Sequence, residues 1–294
     1  MPGASTSFFQ SGCVVIGRLT VTSIGNPLHK ESLHDILQKV TDLPNIHSLK
    51  VWYSHPVIWR HYWNFRKLLC LEIKGLGCEQ GTLNLPSFPA LLDLRISFGE
   101  ECTLPHPKNF HVYVDFSRLP SLSTLEIEGV IDEEIDDRLT FCGVTKSLQK
   151  FTAKRMRDWL FWDNWKCMNE SLEEIRLQTL NDNKSCPTEL NFPRLKILEL
   201  ENSMSCLPLN IGLPVLNQIN LKLGPGDFYD LSRHLSSPIS VLQGLPIALN
   251  LMHDVCFDTD WQTRLDSQES ETLAQLISRS NVTLGEDEKI IWEM

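Results

Sequence analysis

Leu119, Pro120, Ser121, Leu122, Ser123, Thr124, Leu125, Glu126, Ile127 is the stretch that decides the fold. Its pattern, L-x-x-L-x-L led by Leu-Pro or Phe-Pro, returns as Phe192, Pro193, Arg194, Leu195, Lys196, Ile197, Leu198, Glu199, Leu200. With the second leucine as a register mark, eight copies fall at Leu49, Leu71, Leu94, Leu125, Phe151, Ile175, Leu198 and Ile219. Their spacings are 22, 23, 31, 26, 24, 23 and 21 residues. Three residues earlier every copy is apolar: Ile46, Leu68, Leu91, Leu122, Leu148, Leu172, Leu195, Leu216. Two residues later the same holds: Val51, Ile73, Ile96, Ile127, Ala153, Leu177, Leu200, Leu221. Self-similarity at this period predicts a solenoid of stacked coils.

Alternation gives the local structure. In L-x-L the side chains of a strand point to opposite faces, so the leucines turn inward and the intervening residues line an exposed strip. One such strand cannot bury its apolar face alone, and stacking neighbours in parallel creates a continuous core. Between strands the chain must cross back over the outer side. Glu31 to Thr41 reads as a helix there, with Leu33, Ile36, Leu37 and Val40 at helical spacing. Pro56 to Trp63 and Asp158 to Met168 could hold helical turns, and Pro86, Pro89, Pro105, Pro107 and Pro187 predict extended or turn-like crossings elsewhere. Outer copies are expected at Ile16, Leu19 and Val21, and at Leu249 and Leu251, 30 residues before Leu49 and after Ile219.

These columns resemble the leucine-rich repeat superfamily, firmly over residues 43–223 and loosely over 14–255. The resemblance implies an α/β solenoid of about eight to ten repeats, with a curved parallel sheet on the concave side and a mixed helix, turn and extended outer side. It also implies that the concave sheet is the recognition surface. One departure is visible. The family often sets Asn or Cys just after the strand to cap the turn, and here only Asn202 stands in such a place, after Glu201. Irregular lengths and a missing Asn ladder are more similar to the intracellular repeats of F-box proteins or NACHT-type immune sensors than to regular secreted receptors.

Composition narrows the function. A chain of 294 residues with 42% hydrophobic content can fill one large core. The domain reading is a solenoid over 1–255 and a C-terminal cap or tail over 256–294, with one helix around 267–280. A net charge of −10 speaks against nucleic acid and against an anionic membrane surface. No apolar run approaches a spanning length. Ser7, Gln10 and Ser11 interrupt the first apolar residues, so a signal peptide is not expected. Nine cysteines, an odd number without C-x-x-C, favour reduced thiols and a cytoplasmic or nuclear setting. The opening Gly12 to Leu19 faintly resembles the first strand of extracellular receptor L domains, without their cysteine-rich flanks.

Candidate sites follow from the exposed strip. Its first column reads Thr20, Lys50, Glu72, Arg95, Glu126, Thr152, Arg176, Glu199, Asn220. The second reads Thr22, Trp52, Lys74, Ser97, Glu128, Lys154, Gln178, Glu201, Lys222. From these, Lys50, Trp52, Glu72, Lys74, Arg95, Glu126, Glu128, Arg176, Gln178, Glu199 and Glu201 are the expected partner contacts. A solvated face of mixed charge is the plainer reading of most of them. Trp52 is the expected anchor, because its column points outward and Trp is a frequent hot spot. Trp59, Trp63 and Trp162 are better read as core, and the acidic run Asp132, Glu133, Glu134, Asp136, Asp137 as a solvated loop.

Chemistry has little purchase. Cys102, His106 and His111, and separately His55 and His61, are too few and too loosely spaced for a zinc site. Gly224, Pro225, Gly226 lacks the Lys and Ser/Thr of a phosphate loop, and no G-x-S-x-G elbow occurs. The expectation is a non-enzyme without metal or cofactor that binds a protein partner. It could be the sensing end of a NACHT-type innate-immune protein. The alternatives are an F-box-type substrate receptor of a ubiquitin ligase and, further off, a receptor L-like domain. Strand-like sequence from Val14 leaves no helical F-box ahead of the repeats, so a fragment, an isoform or a free-standing adaptor are all open.

Overall fold

A computed structural model describes residues 18–23, 45–53, 65–76, 81–98, 110–129, 139–157, 167–180, 190–201, 207, 211–223, 231, 233–234, 247–251, 271, 274–275, 278 and 282–284. Eleven strands form one sheet. They are β1 (Arg18–Ser23), β2 (Ser48–Tyr53), β3 (Cys70–Leu76), β5 (Asp93–Phe98), β7 (Thr124–Glu128), β9 (Lys150–Arg157), β10 (Glu174–Leu180), β12 (Ile197–Glu201), β14 (Gln218–Leu223), β15 (Ile247–Leu251) and β16 (Val282–Leu284). All neighbours in it pair in parallel. Short strands of the crossings pair among themselves. β4 (Gly81–Asn84), β6 (Phe110–Asp115) and β8 (Leu139–Cys142) form a three-stranded parallel sheet, and β11 (Leu190–Asn191) pairs with β13 (Ile211–Gly212).

The molecule is a parallel-strand repeat solenoid, and its register is the one the alternation predicts. Leu49, Leu71, Leu94, Leu125, Phe151, Ile175, Leu198 and Ile219 are Cα partners in succession. Each is at most 3% exposed, so this column is the middle of the core. Leu19 extends it at one end, opposite Leu49. At the other end the expected mark is two residues off: Ile247, not Leu249, lies opposite Ile219, and Leu249 pairs with Leu221. A two-residue slip keeps the same side chains inward, which is why alternation alone could not set it. The sheet also continues past residue 255 into β16, whose Val282 and Leu284 extend the two columns.

Two backbone devices set each coil. The lead, Leu-Pro or Phe-Pro in four of these copies and Phe65-Arg66 in the fifth, is a β-turn: the N–H of Leu68, Leu91, Leu122, Leu195 and Leu216 donates to the carbonyl of Phe65, Phe88, Leu119, Phe192 and Leu213, at 3.1–3.3 Å. Proline suits the second turn position because its ring fixes the φ angle needed there. In one coil Thr145 replaces the apolar residue, and its buried hydroxyl accepts from the N–H groups of Ser147 and Leu148, both at 3.3 Å. After six of the turns, two successive N–H groups converge on one carbonyl of the preceding coil; after Leu216 the N–H of Asn217 donates to the Lys196 carbonyl at 3.3 Å. His47, Leu69, Leu92, Ser123, Gln149 and Glu173 each accept such a pair at 2.8–3.1 Å. Coils are thus joined through main chain at this point.

The α/β expectation needs correction among the described residues, which carry almost no helix. A 3-10 turn at Phe116–Arg118 and helical residues at Leu231, Arg233, His234, Glu271, Ala274 and Gln275 stand out, and the Ser278 N–H donates to the Ala274 carbonyl at 3.0 Å. The expected helix at 31–41 lies outside the described residues, as do all of 56–63 and all of 158–168 but its last two residues. Where they are described the crossings carry short extended segments and turns, as around Pro86 and Pro89; Pro105, Pro107 and Pro187 lie outside the described residues. The core lies between the large sheet and the crossings: Phe141 of β8 meets Phe151 of β9 edge-on with ring centroids 6.2 Å apart, and stacks on Phe116 at 5.7 Å. Phe65 and Phe88 continue this aromatic packing at 5.4 Å.

Candidate functional site: the exposed face of the large sheet

Among the described side chains of strands β1 to β14, alternation leaves every second residue on the solvent side. The register brings Thr20, Lys50, Glu72, Arg95, Glu126, Thr152, Arg176, Glu199 and Asn220 into one line across the strands. Thr22, Trp52, Lys74, Ser97, Glu128, Lys154, Gln178, Glu201 and Lys222 form the next. The expected contact residues therefore do share one face. Trp52 contributes its backbone, paired with Thr22 and Lys74; its side chain is outside the described set, as are Trp59, Trp63, Trp162 and the acidic run at 132–137.

The charges on this face engage one another. Glu72 receives Lys50 at 3.0 Å and Lys74 at 3.1 Å. Arg95 reaches Asp93 at 3.0 Å and Glu126 at 3.7 Å, and Lys154 closes on Glu126 at 2.6 Å. Farther along, Glu174 holds Lys150 at 2.8 Å and Arg176 at 2.7 Å, and Arg176 lies 3.8 Å from Glu199. Lys222 bridges Glu199 at 3.3 Å and Glu201 at 3.2 Å. The uncharged members join in: Gln178 donates to Glu201 at 2.8 Å and Ser97 to Glu128 at 3.1 Å. Signs alternate along a line because strands in register would otherwise set like charges directly opposite, which is destabilising.

Titration reflects this pairing. Partial burial raises the proton affinity of Glu72, but hydrogen bonds and charge from Lys50 and Lys74 outweigh it and hold its carboxyl below the usual range. The same balance, with Lys150 and Arg176, lowers Glu174. For Lys222 burial pulls down and Glu201 and Glu199 push up, with a net rise. The hydrogen bond and charge of Asp93, with help from Glu126, raise Arg95 further.

Sequence reading missed a third line of the face, one residue ahead of each strand's first leucine: Arg18, Ser48, Cys70, Asp93, Thr124, Lys150, Glu174, Ile197. Its signal was available, because period-two alternation runs on past the motif. Asp93 and Glu174 from this line supply partners to Arg95 and Arg176, and Lys150 pairs with Glu174 within the line. Over the smaller Ser48 and Cys70 it leaves a depression of about 250 Å³, bounded by Arg18, Lys50, Glu72, Asp93 and Arg95.

Other expected features fall differently. Among the described residues no group of three or more His, Cys, Asp or Glu is placed to hold a metal ion, and no helix is long and apolar enough to cross a membrane. Cys102, His106, His55 and His61 lie outside the described residues, and His111 is represented by its backbone in β6. Cys70, Cys142 and Cys167 carry free thiols. Burial, and the nearby Cys142, push the Cys167 thiol up.

The site and the fold together define a class, a parallel-strand repeat solenoid with a polar, charge-laced sheet face. No protein-family model, no curated protein and no solved structure matches the chain.

Proposed function

We propose that this chain is a leucine-rich-repeat binding scaffold without enzymatic activity, and that the exposed face of its large sheet receives a protein partner. The observation that carries the reading is the three-line polar face, continuous over strands β1 to β14 and held in register by the core beneath it. A rigid array of side chains on strands is preorganised for recognition, since little order is lost when it binds. Internal pairing does not close the face to a partner. Exposed ion pairs contribute about 0–1 kcal/mol each, so a partner's charges can replace them at little cost. Alternating signs also favour a partner of matching pattern over a generic polyanion or polycation. Free thiols at Cys70, Cys142 and Cys167 and the irregular repeat lengths support an intracellular member of the class, of the kind that forms the sensing end of NACHT-type immune proteins.

Photo-crosslinking tests this directly. A photoreactive residue at Glu128 or Lys74, on the face, should capture a discrete partner, and Glu126→Lys in the same chain should abolish the capture. A photoreactive residue at Arg66, exposed in the turn before β3, should capture none. Crosslinks confined to the Arg66 side, or insensitivity to Glu126→Lys with an unchanged melting temperature, would sink the reading.

A further inference from the structure

The depression over Ser48 and Cys70 has a physical cause. Within its line these two small residues stand between the long Arg18 and the Asp93–Arg95 pair, so the surface dips across two strands. From Arg18 to Asp93 is three strand spacings, about 14 Å at the usual separation. Along its side runs the Lys50–Glu72 pair, closed at 3.0 Å. Asp93 is likewise engaged by Arg95 at 3.0 Å. Arg18 differs from these neighbours: it is exposed and has no carboxylate partner among the described residues. The rim thus has three cations against two anions, and the surplus charge is a guanidinium whose planar fork suits a carboxylate. A volume of about 250 Å³ is below the usual range for a whole drug-sized ligand, and the depression is open to the face. It is the size for one side chain.

We infer that this depression receives an acidic side chain of the protein partner, whose carboxylate pairs with Arg18 above Cys70. The inference rests on the sheet face being the partner-binding surface. It makes Arg18 a specificity-determining residue, favouring partners that present Asp or Glu at this end of the solenoid.

Cys70 supplies the test, because its exposed thiol lines the depression, with Ser48 and then Arg18 on one side of it and Asp93 on the other. Exchange of the native chain with small disulfides joins a probe to Cys70 and releases the probe's other half as a thiol. The probes are the disulfides of 3-mercaptopropionate, which is anionic, and of cysteamine, which is cationic. Peptide-level mass spectrometry reads the occupancy at Cys70, with Cys142 and Cys167 as references in the same molecule. The expected result is a several-fold preference for the anionic probe at Cys70 over that at the references. Arg18→Gln should erase the preference and Arg18→Lys should retain it. Equal occupancy, a preference for the cationic probe, or a preference unchanged in Arg18→Gln would overturn the inference. A second arm separates it from the broader reading. If the partner crosslinked at Glu128 is captured equally by Arg18→Gln, the face reading stands and the carboxylate assignment falls. If free succinate at low millimolar concentration shields Cys70 from alkylation, the occupant is a soluble dicarboxylate and the partner assignment falls.

Discussion

Two residues show how local backbone demands are met, and they make opposite predictions. Gly143 has φ +73°, and a Cβ there would come within 3.2 Å of the Ser117 backbone nitrogen. Gly143→Ala should destabilise the protein by about 1–2 kcal/mol, read as a lower denaturant midpoint. Arg155 has φ 52°, the left-handed region that favours glycine. It is the extra residue of a bulge in β9, where pairing shifts from Lys154–Gln178 to Met156–Thr179. Arg155→Gly should be neutral or stabilising, by up to about 1 kcal/mol, because it relieves that conformation. A loss of more than about 2 kcal/mol would mean that contacts of the Arg155 side chain outweigh its backbone cost. The corresponding bulge in β3, between Lys74 and Leu76, has Gly75 as its extra residue.

At the scale of a strand, β7 stands in the middle of the large sheet, between β5 and β9. Leu125 is fully buried between Leu94 and Phe151 of the neighbouring strands. Leu125→Asp would place an unpaired carboxylate in that column, at a cost of several kcal/mol. Circular dichroism should show the loss of several coils in one transition, since each coil is stable only against its neighbours. Retention of the native melting temperature would refute the register. Strands were the legible part of the sequence. Their apolar columns obey a period of two, and burial punishes every departure, so Leu49 through Ile219 could be aligned by eye. The crossings obey no such rule. Proline told that the segment around Pro86 and Pro89 is not helical, but nothing local announces that residues 81–84 will pair with 110–113, a contact that forms only after the coils stack. β16 was illegible for a similar reason: three residues carry too short an alternation to stand out. On the sheet face the lines were readable while the ion pairs were not, because which lysine reaches which glutamate depends on rotamers as well as register. The depression beside Arg18 needed the third line, which lies one residue outside the motif.

The whole molecule has an acid-sensitive side. His234 is 1% exposed, with Nε2 2.9 Å from the Leu207 carbonyl. Burial, opposed by that hydrogen bond and aided by Arg233, lowers its pKa from 6.5 to about 4. An unfolded chain would protonate this imidazole below pH 6.5 while the folded chain does not, so stability should fall as pH drops from 6.5 towards about 4. The accumulated loss is of order 3 kcal/mol. Glu72 and Glu174 act in the same direction at lower pH. Their folded carboxyls are depressed, so their contribution is present above the unfolded pKa and is lost as pH falls through the folded one. Denaturant titrations at about pH 7 and about pH 5 should show the decline, and His234→Gln, which keeps a donor for Leu207, should flatten it. An equal slope in that variant would assign the acid sensitivity to other groups.

The joint between coils has a further consequence. It consists of one carbonyl and two amides, atoms that every amino acid except proline can supply, so it survives almost any change of side chain. A stretch of gene encoding one coil could be copied and its product would dock on its parent without new chemistry. A chain built on such a joint can lengthen, shorten and vary its coils while three apolar columns stay in common, the pattern of the eight unequal copies here.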